Sequence, residues 1–348
     1  MVDMKQVRML STQKEKTWKS MLLKWEVLLA LILIAVCLGL KITAPNIVSF
    51  SALVDNTMVF INQGFVLLSM LTILVIGEID ISVGSVACLS SVVMAYVYKQ
   101  GVPFALALVI ALVVGVLCGL INGLIITRFK ELAPMIVTLA TMTIYRGIAY
   151  MILGDKSAGG FPAWFSKLGW GYISEHVKIP INLLAFLLCA IVVCVIMHCT
   201  VVGKHIFAIG TNALTSEYTG VSVRKIKLVL YTINGLMASV TGIFLMGRLG
   251  SARPNVAQNY ELDVIAMCVL GGVSTSGGKG SVPGVIISIF LLGFLQYGMN
   301  INNVPGQIMP MVKAYMEVLL IWLQCQEVLL IYLNGKHLIM LLRQELSI

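Results

Sequence analysis

The sequence predicts an all-α, polytopic membrane protein with about ten spanning helices, and three observations carry that prediction. Of its 348 residues, 59% are hydrophobic and only 11% are charged, with a mean hydropathy of +0.97. Soluble domains average about 45–50% apolar and about 25% charged residues, so this composition excludes a soluble domain standing alone. The apolar residues gather in runs near the length of about 20 that a helix needs to cross a bilayer, separated by polar breaks. The excess of 24 Lys and Arg over 15 Asp and Glu, net +9, falls mainly on alternate breaks, as it does in cytoplasmic loops.

The first span covers residues 25–40 and follows a basic tail, residues 1–24, holding Lys5, Arg8, Lys14, Lys16, Lys19 and Lys24. No small-x-small cleavage site follows and the chain stays apolar, so this segment reads as a retained anchor rather than a signal peptide. The second and third spans, 52–76 and 82–98, flank a break that holds Glu78 and Asp80. The fourth to seventh are 104–126, 132–153, 181–197 and 228–246. An eighth run, 264–270, is short and leads into the glycine-rich stretch 271–280; a ninth covers 282–299 and a tenth lies within 308–323.

With the basic tail inside, alternation places Arg128, Lys130, Lys204, Arg224, Lys225, Lys227 and Lys279 on the cytoplasmic side. Outer cations such as Lys41, Lys156 and Arg253 are spread more thinly, and both termini are expected in the cytoplasm of a multi-pass inner-membrane protein. Trp164, Trp170 and Tyr172 give the loop after the fifth span an interfacial character. Topology thus accounts for most of the positive charge, and no basic patch interleaved with aromatics points to nucleic acid. The 8 cysteines sit in or beside apolar runs without a C-x-x-C pair and read as small buried hydrophobes. The 4 histidines show no ligand spacing, so no metal site is expected.

The stretch Gly271-Gly272-Val273-Ser274-Thr275-Ser276-Gly277-Gly278-Lys279-Gly280 invites a phosphate-loop reading. A P-loop needs Gly, four residues, then Gly-Lys-Ser/Thr; here Val273 occupies the first Gly position and Gly280 follows Lys279. The match fails twice, and the alternatives are a structural turn or an irregular segment that lines a cavity. Glu78-Ile79-Asp80-Ile81-Ser82-Val83-Gly84-Ser85 reads either as a turn in which Asp80 or Ser82 caps the third helix, or as a gating or subunit-contact site. A second Glu-x-Asp, Glu261-Leu262-Asp263, opens the eighth run and hints at the internal symmetry on which many transporters are built.

Arg146 lies within the fifth span, where a charge must face a partner, a cavity or the interface. Gly115, Gly119 and Gly123 form a small-xxx-small face in the fourth, suited to close helix packing. Residues 203–227 form the one sizeable cytoplasmic segment expected between spans. Within it, Thr211 or Asn212 as N-cap and Gly220 as C-terminal glycine leave room for a helix of about two turns. Polar groups inside apolar spans, Asn56, Asn62, Gln63, Thr138, Thr141 and Asn234, are candidates for the solute path or for hydrogen bonds between helices.

Four of these motifs, taken in order, are Glu78 to Ser85, the loop with Gly210, Asn212, Gly220 and Val221, Tyr260-Glu261-Leu262-Asp263, and Val269-Leu270-Gly271-Gly272 through Gly277-Gly278-Lys279-Gly280. On them the chain resembles, over about residues 25–311, the permease subunits of bacterial monosaccharide ABC importers, which include ribose, rhamnose and autoinducer-2 permeases. The resemblance implies a transport subunit, not an enzyme, paired with itself or a sister permease. It also implies cytoplasmic ATPases that bind the ATP, and a periplasmic sugar-binding protein. By position, Gly210, Thr211, Asn212, Thr215, Glu217 and Gly220 become the ATPase-coupling candidates. Glu78, Asp80, Ser82, Glu261, Asp263, Gly271, Gly272, Gly277, Gly278 and Lys279 become candidates for gating or subunit contact.

The resemblance divides the chain into the tail 1–24, a permease domain 25–323 with its coupling loop at 203–227, and an atypical segment 324–348. Lys313 and Glu317 inside the expected tenth span depart from the family pattern. An ion-coupled secondary transporter would favour carboxylates in mid-span, where only Asp55 and Glu317 come near. A membrane enzyme would need a catalytic constellation, and the sequence shows none.

Overall fold

The computed structural model describes residues 25–45, 48–174 and 178–305, with 308, 311, 314, 315 and 318 beyond them. The basic tail 1–24, most of the expected tenth span including Lys313 and Glu317, and residues 324–348 lie outside the described residues.

The apolar runs form helices. The N-terminal half comprises α1 Trp25–Thr43, α2 Phe50–Phe60, α3 Gly64–Val75, α4 Val83–Lys99, α5 Phe104–Arg128 and α6 Pro134–Leu153. There follow the short α7 Ser166–Trp170, then α8 Ile181–Cys199, α9 Val201–Thr211, α10 Ala213–Tyr218, α11 Val223–Leu249, α12 Tyr260–Leu270 and α13 Val282–Ile301. Among the described residues, seven helical stretches are long and apolar enough to cross a membrane. The remaining apolar segments expected to span are shorter: α4 has 17 residues and α12 only 11.

The second expected span is not one uniform helix. A 3-10 turn, Ile61–Gln63, interrupts it between α2 and α3. There the Met58 carbonyl accepts from the side-chain amides of Asn62 (3.2 Å) and Asn182 (3.3 Å). The polar triplet Asn62-Gln63-Gly64 was the available signal for that break.

Helix α4 occupies the centre and is buried from Val83 to Val92 without interruption. Helix α5 has two faces. Gly115 and Gly119 meet Gly235 and Tyr231 of α11 backbone to backbone, which side chains would prevent. Leu106, Val113, Leu117 and Leu124 lie exposed along α5, as lipid-facing residues should.

The connections sort to two ends. At one, Arg224 Nε donates to the Thr127 carbonyl (3.2 Å) and Trp25 Nε1 to the Leu270 carbonyl (2.7 Å). We call this the α10 end. At the other, the two-residue strands β1 Ala158–Gly159 and β2 Ser251–Ala252 pair antiparallel, and Trp170 Nε1 donates to the Arg248 carbonyl (2.9 Å). Tyr172 donates to Asp55 there (2.9 Å), and that carboxylate raises the phenol above its usual range.

Helix α12 is about 16 Å long by its rise, roughly half of a ~30 Å hydrocarbon core. The chain after β2 therefore dips into the bundle without regular structure before α12 begins. Irregular backbone at such depth needs partners within the protein, and Arg146 supplies them. Its Nη1 donates to the carbonyls of Pro254 (2.9 Å) and Val256 (2.6 Å), and Nη2 to that of Ala257 (3.4 Å). Of the partner, cavity or interface that a charge at Arg146 requires, the structure shows partners inside the bundle.

Of the described cysteines, Cys88, Cys118 and Cys268 are buried, whereas Cys199 is exposed, against the expectation for that position.

Candidate functional site

Residues 203–227 are more ordered than a connector. Thr200 caps α9 by accepting from Gly203 N (3.3 Å), and the apolar face of α9 buries Ile206 and Ile209. Asn212 caps the next helix by accepting from Thr215 N (2.9 Å), as its residue type suggests, and α10 ends before Gly220 at φ +87°. Helix α11 starts at Val223, so Arg224, Lys225 and Lys227 are helical rather than part of the loop. The apolar pair Val201-Val202 beside Thr200 was the available signal for α9.

Gly210 brings this segment onto the rest of the bundle. Position 210 lies against the Val75 carbonyl oxygen and the backbone of Gly278, leaving no room for a side chain. Gly278 N donates to that same carbonyl (2.8 Å), while Gly277 abuts Gly77 and the Gly210 carbonyl. Gly77, Gly277 and Gly278 all have positive φ, at +80°, +82° and +74°. Three segments distant in sequence thus meet at one point: the turn after α3, the end of α9, and the stretch after α12.

Around this junction, Thr211, Asn212, Thr215 and Glu217 are exposed. Glu217 faces Lys130 at 3.6 Å, with both side chains largely in solvent. Lys227 forms an ion pair with buried Glu78. A cavity of about 310 Å³ lies between α10, the start of α11 and the α5–α6 connection, and both ion pairs border it.

A buried polar track runs inward from this end. Ser69 Oγ donates to Asn234 Oδ1 (2.7 Å), and Asn234 Nδ2 donates to Asp80 Oδ2 (2.8 Å). Asp80 Oδ1 accepts from Ser82 N (2.9 Å) and Ser82 Oγ (2.7 Å). Asn122 Nδ2 donates to Ser82 Oγ (2.8 Å) and accepts from Tyr145 OH (3.1 Å). Asp80 therefore holds the entry to α4, while the Ser82 hydroxyl is committed to Asp80 instead of to a free helix amide.

The track ties α3, α11, α5 and α6 to α4, and it satisfies several polar groups considered for the solute path. Asn234 is part of it; Thr138 donates to the Ile79 carbonyl (3.4 Å), Thr141 to the Thr138 carbonyl (3.2 Å), and Asn62 is paired at the α2–α3 break. Asn56 and Gln63 remain half-buried.

The acidic residues of the second Glu-x-Asp are not beside the glycine junction. Glu261 and Asp263 stand in the first turn of α12, with Glu261 against Gly84 of α4, while Gly271 and Gly272 lie past its far end. Gly271 packs on Val285 of α13, and Lys279 is exposed. The two Glu-x-Asp segments nevertheless both adjoin the start of α4: Asp80 through Ser82, and Glu261 through Gly84.

The sequence has matches among known proteins. The chain is 38% identical over 254 residues to the ribose import permease protein RbsC of Bacillus subtilis (strain 168), covering 72% of this chain and 78% of that protein. It is 32% identical over 290 residues to the autoinducer 2 import system permease protein LsrD of Salmonella paratyphi A, covering 82% and 86%. LsrD of Escherichia coli (strain SMS-3-5 / SECEC) is 31% identical over 290 residues, covering 82% and 87%. No solved structure matches it. Residues 53–322 match the family described as branched-chain amino acid transport system / permease component. With its spanning helices, central α4 and buried polar track, the chain belongs to that family of multi-pass membrane transport permeases.

Proposed function

We propose that this chain is the translocating subunit of a bacterial inner-membrane ABC importer for a ribose-like monosaccharide, with its α10 end and both termini in the cytoplasm. The observation that carries the reading is the junction at Gly210, which places the exposed α10 next to turns from both halves of the bundle. A partner ATPase engaging Thr211 to Gly220 would act on the turn at Gly77 and the stretch at Gly277–Gly278 together. ATP is bound by that partner, a second permease subunit completes the pathway, and a periplasmic binding protein delivers the solute at the β1–β2 end. The Glu78–Lys227 pair and the start of α4 are the gating elements, and the chain performs no chemistry on the solute.

The choice of solute rests on the relatives, one a ribose permease and others autoinducer-2 permeases. The test is uptake of radiolabelled ribose in cells expressing this chain together with the ATPase and binding protein of a ribose importer. ATPase-dependent ribose uptake supports the reading. Uptake of autoinducer-2 alone transfers the assignment to that solute, and uptake undiminished without the ATPase overturns the ABC mechanism in favour of ion coupling.

A further inference from the structure

A cleft of about 650 Å³ opens between α8 and α11, with Ser69 and Thr72 of α3 at its back. Its walls are aliphatic rows, Leu188, Val192 and Ile196 on α8 and Val229, Ile233 and Met237 on α11. Val192 and Val229 are 56% and 53% exposed, so the cleft opens outward where lipid would surround the bundle. By helical rise, Leu188 to Ile196 covers about 12 Å and Lys225 to Met237 about 18 Å. That is close to the depth of one leaflet of a ~30 Å hydrocarbon core.

Among the residues that line the cleft, Lys225 alone carries a full charge. It stands at the α10 end, in the same i+4 row as Val229, Ile233 and Met237, so the cation and the apolar wall share one face of α11. An aliphatic slot one leaflet deep with a cation at its mouth matches an acyl chain joined to an anionic headgroup. We propose that this cleft is a binding site for an anionic phospholipid, whose acyl chain fills the slot and whose phosphate pairs with Lys225. The site goes beyond the import reading, and it sits beside α9 and the start of α11, the elements that carry α10.

The test uses the full-length chain equilibrated with equal amounts of phosphatidylglycerol and phosphatidylcholine of matched acyl chains, with retained lipid read by native mass spectrometry. Preferential retention of phosphatidylglycerol is expected. Lys225→Gln should lower that preference about five-fold, the equivalent of about 1 kcal/mol per basic residue near anionic headgroups. Val229→Trp should abolish retention of both lipids, whereas Leu124→Trp on the exposed face of α5 should leave the native pattern. Equal retention of the two lipids by the native chain, or an unchanged preference in Lys225→Gln, overturns the proposal.

A second measurement does not depend on filling the cleft. Ile191→Trp, exposed on α8 beside the cleft and not part of its lining, should add fluorescence that is quenched more strongly in vesicles of brominated phosphatidylglycerol than in brominated phosphatidylcholine, and adding Lys225→Gln should remove the difference. Photo-crosslinking from position 233 to a second copy of the chain, or to residues 306–348, would show another occupant and overturn the assignment.

Discussion

Gly210 and Val75 touch backbone to backbone, so that the last turn of α9 rests directly on the carbonyl that closes α3. The same carbonyl accepts the amide of Gly278 (2.8 Å), and a β-carbon at 210 would strike both groups. Neither is a flexible side-chain end that could turn aside. Gly210→Ala is expected to push α9 off the junction and cut uptake at least ten-fold, with membrane insertion retained. Gly147→Ala is the control: nothing lies near a β-carbon there, and a helix-interior Ala should stabilise by about 0.5–1 kcal/mol. Equal uptake by both variants would remove the junction from the mechanism.

Glu217 and Gly220 separate coupling from stability. The Lys130–Glu217 pair is exposed at 3.6 Å, and such pairs contribute about 0–1 kcal/mol. Glu217→Ala should therefore leave the melting temperature nearly unchanged. Gly220 has φ +87°, so Gly220→Ala carries a local strain of about 1–2 kcal/mol at the end of α10. Both variants are expected to abolish uptake while the chain still inserts. Unchanged transport in both would sink the assignment of this helix to ATPase coupling.

The Glu78–Lys227 pair is a different case because Glu78 is 8% exposed. Lys227→Met leaves a buried carboxylate without its partner, a loss expected to cost about 3–5 kcal/mol. Adding Glu78→Gln removes the orphaned charge and should restore much of that loss. Thermal unfolding in detergent reads both variants; a double variant no more stable than Lys227→Met alone would show that the cation acts through other contacts.

Arg146→Lys keeps the charge but loses the planar fork that reaches three carbonyls. Charge-assisted hydrogen bonds contribute about 1.5–3 kcal/mol each, so a drop in stability of that order is expected. The segment before α12 should also loosen. Maleimide labelling of a cysteine introduced at exposed Asn255 should become several-fold faster in the Lys variant than in the native background. Identical labelling rates would mean that the segment is held by its packing.

The spanning helices were legible because the length a bilayer demands is written directly in apolar runs; α5 and α13 begin where the run begins. The helix at 213–218 was legible because Asn212 is a good cap and Gly220 a good terminator. The break at Ile61–Gln63 was not, since hydropathy averages across a polar triplet in a run of 26 residues. Arg146 could be recognised as a charge needing company, yet its partners are main-chain carbonyls, which no side-chain pattern marks. Asn234 and Thr138 looked alike as polar residues in apolar helices, and only their neighbours assigned them to hydrogen bonding within the bundle. The meeting of Gly77, Gly210 and Gly277 was hidden for the same reason, because it joins three distant segments through backbone alone.

Helix α11 has 27 residues and crosses α5 backbone to backbone at Gly235. By helical rise, Gly235 lies about 18 Å from Val223 and about 21 Å from Leu249. The crossing is thus a fulcrum near the middle of a rigid beam. A tilt about it moves the two ends in opposite directions by nearly equal distances. A push of 1 Å applied where Lys227 grips Glu78, about 12 Å from the fulcrum, would arrive reversed and nearly doubled about 22 Å beyond it, where Gly250 hands the chain to β2.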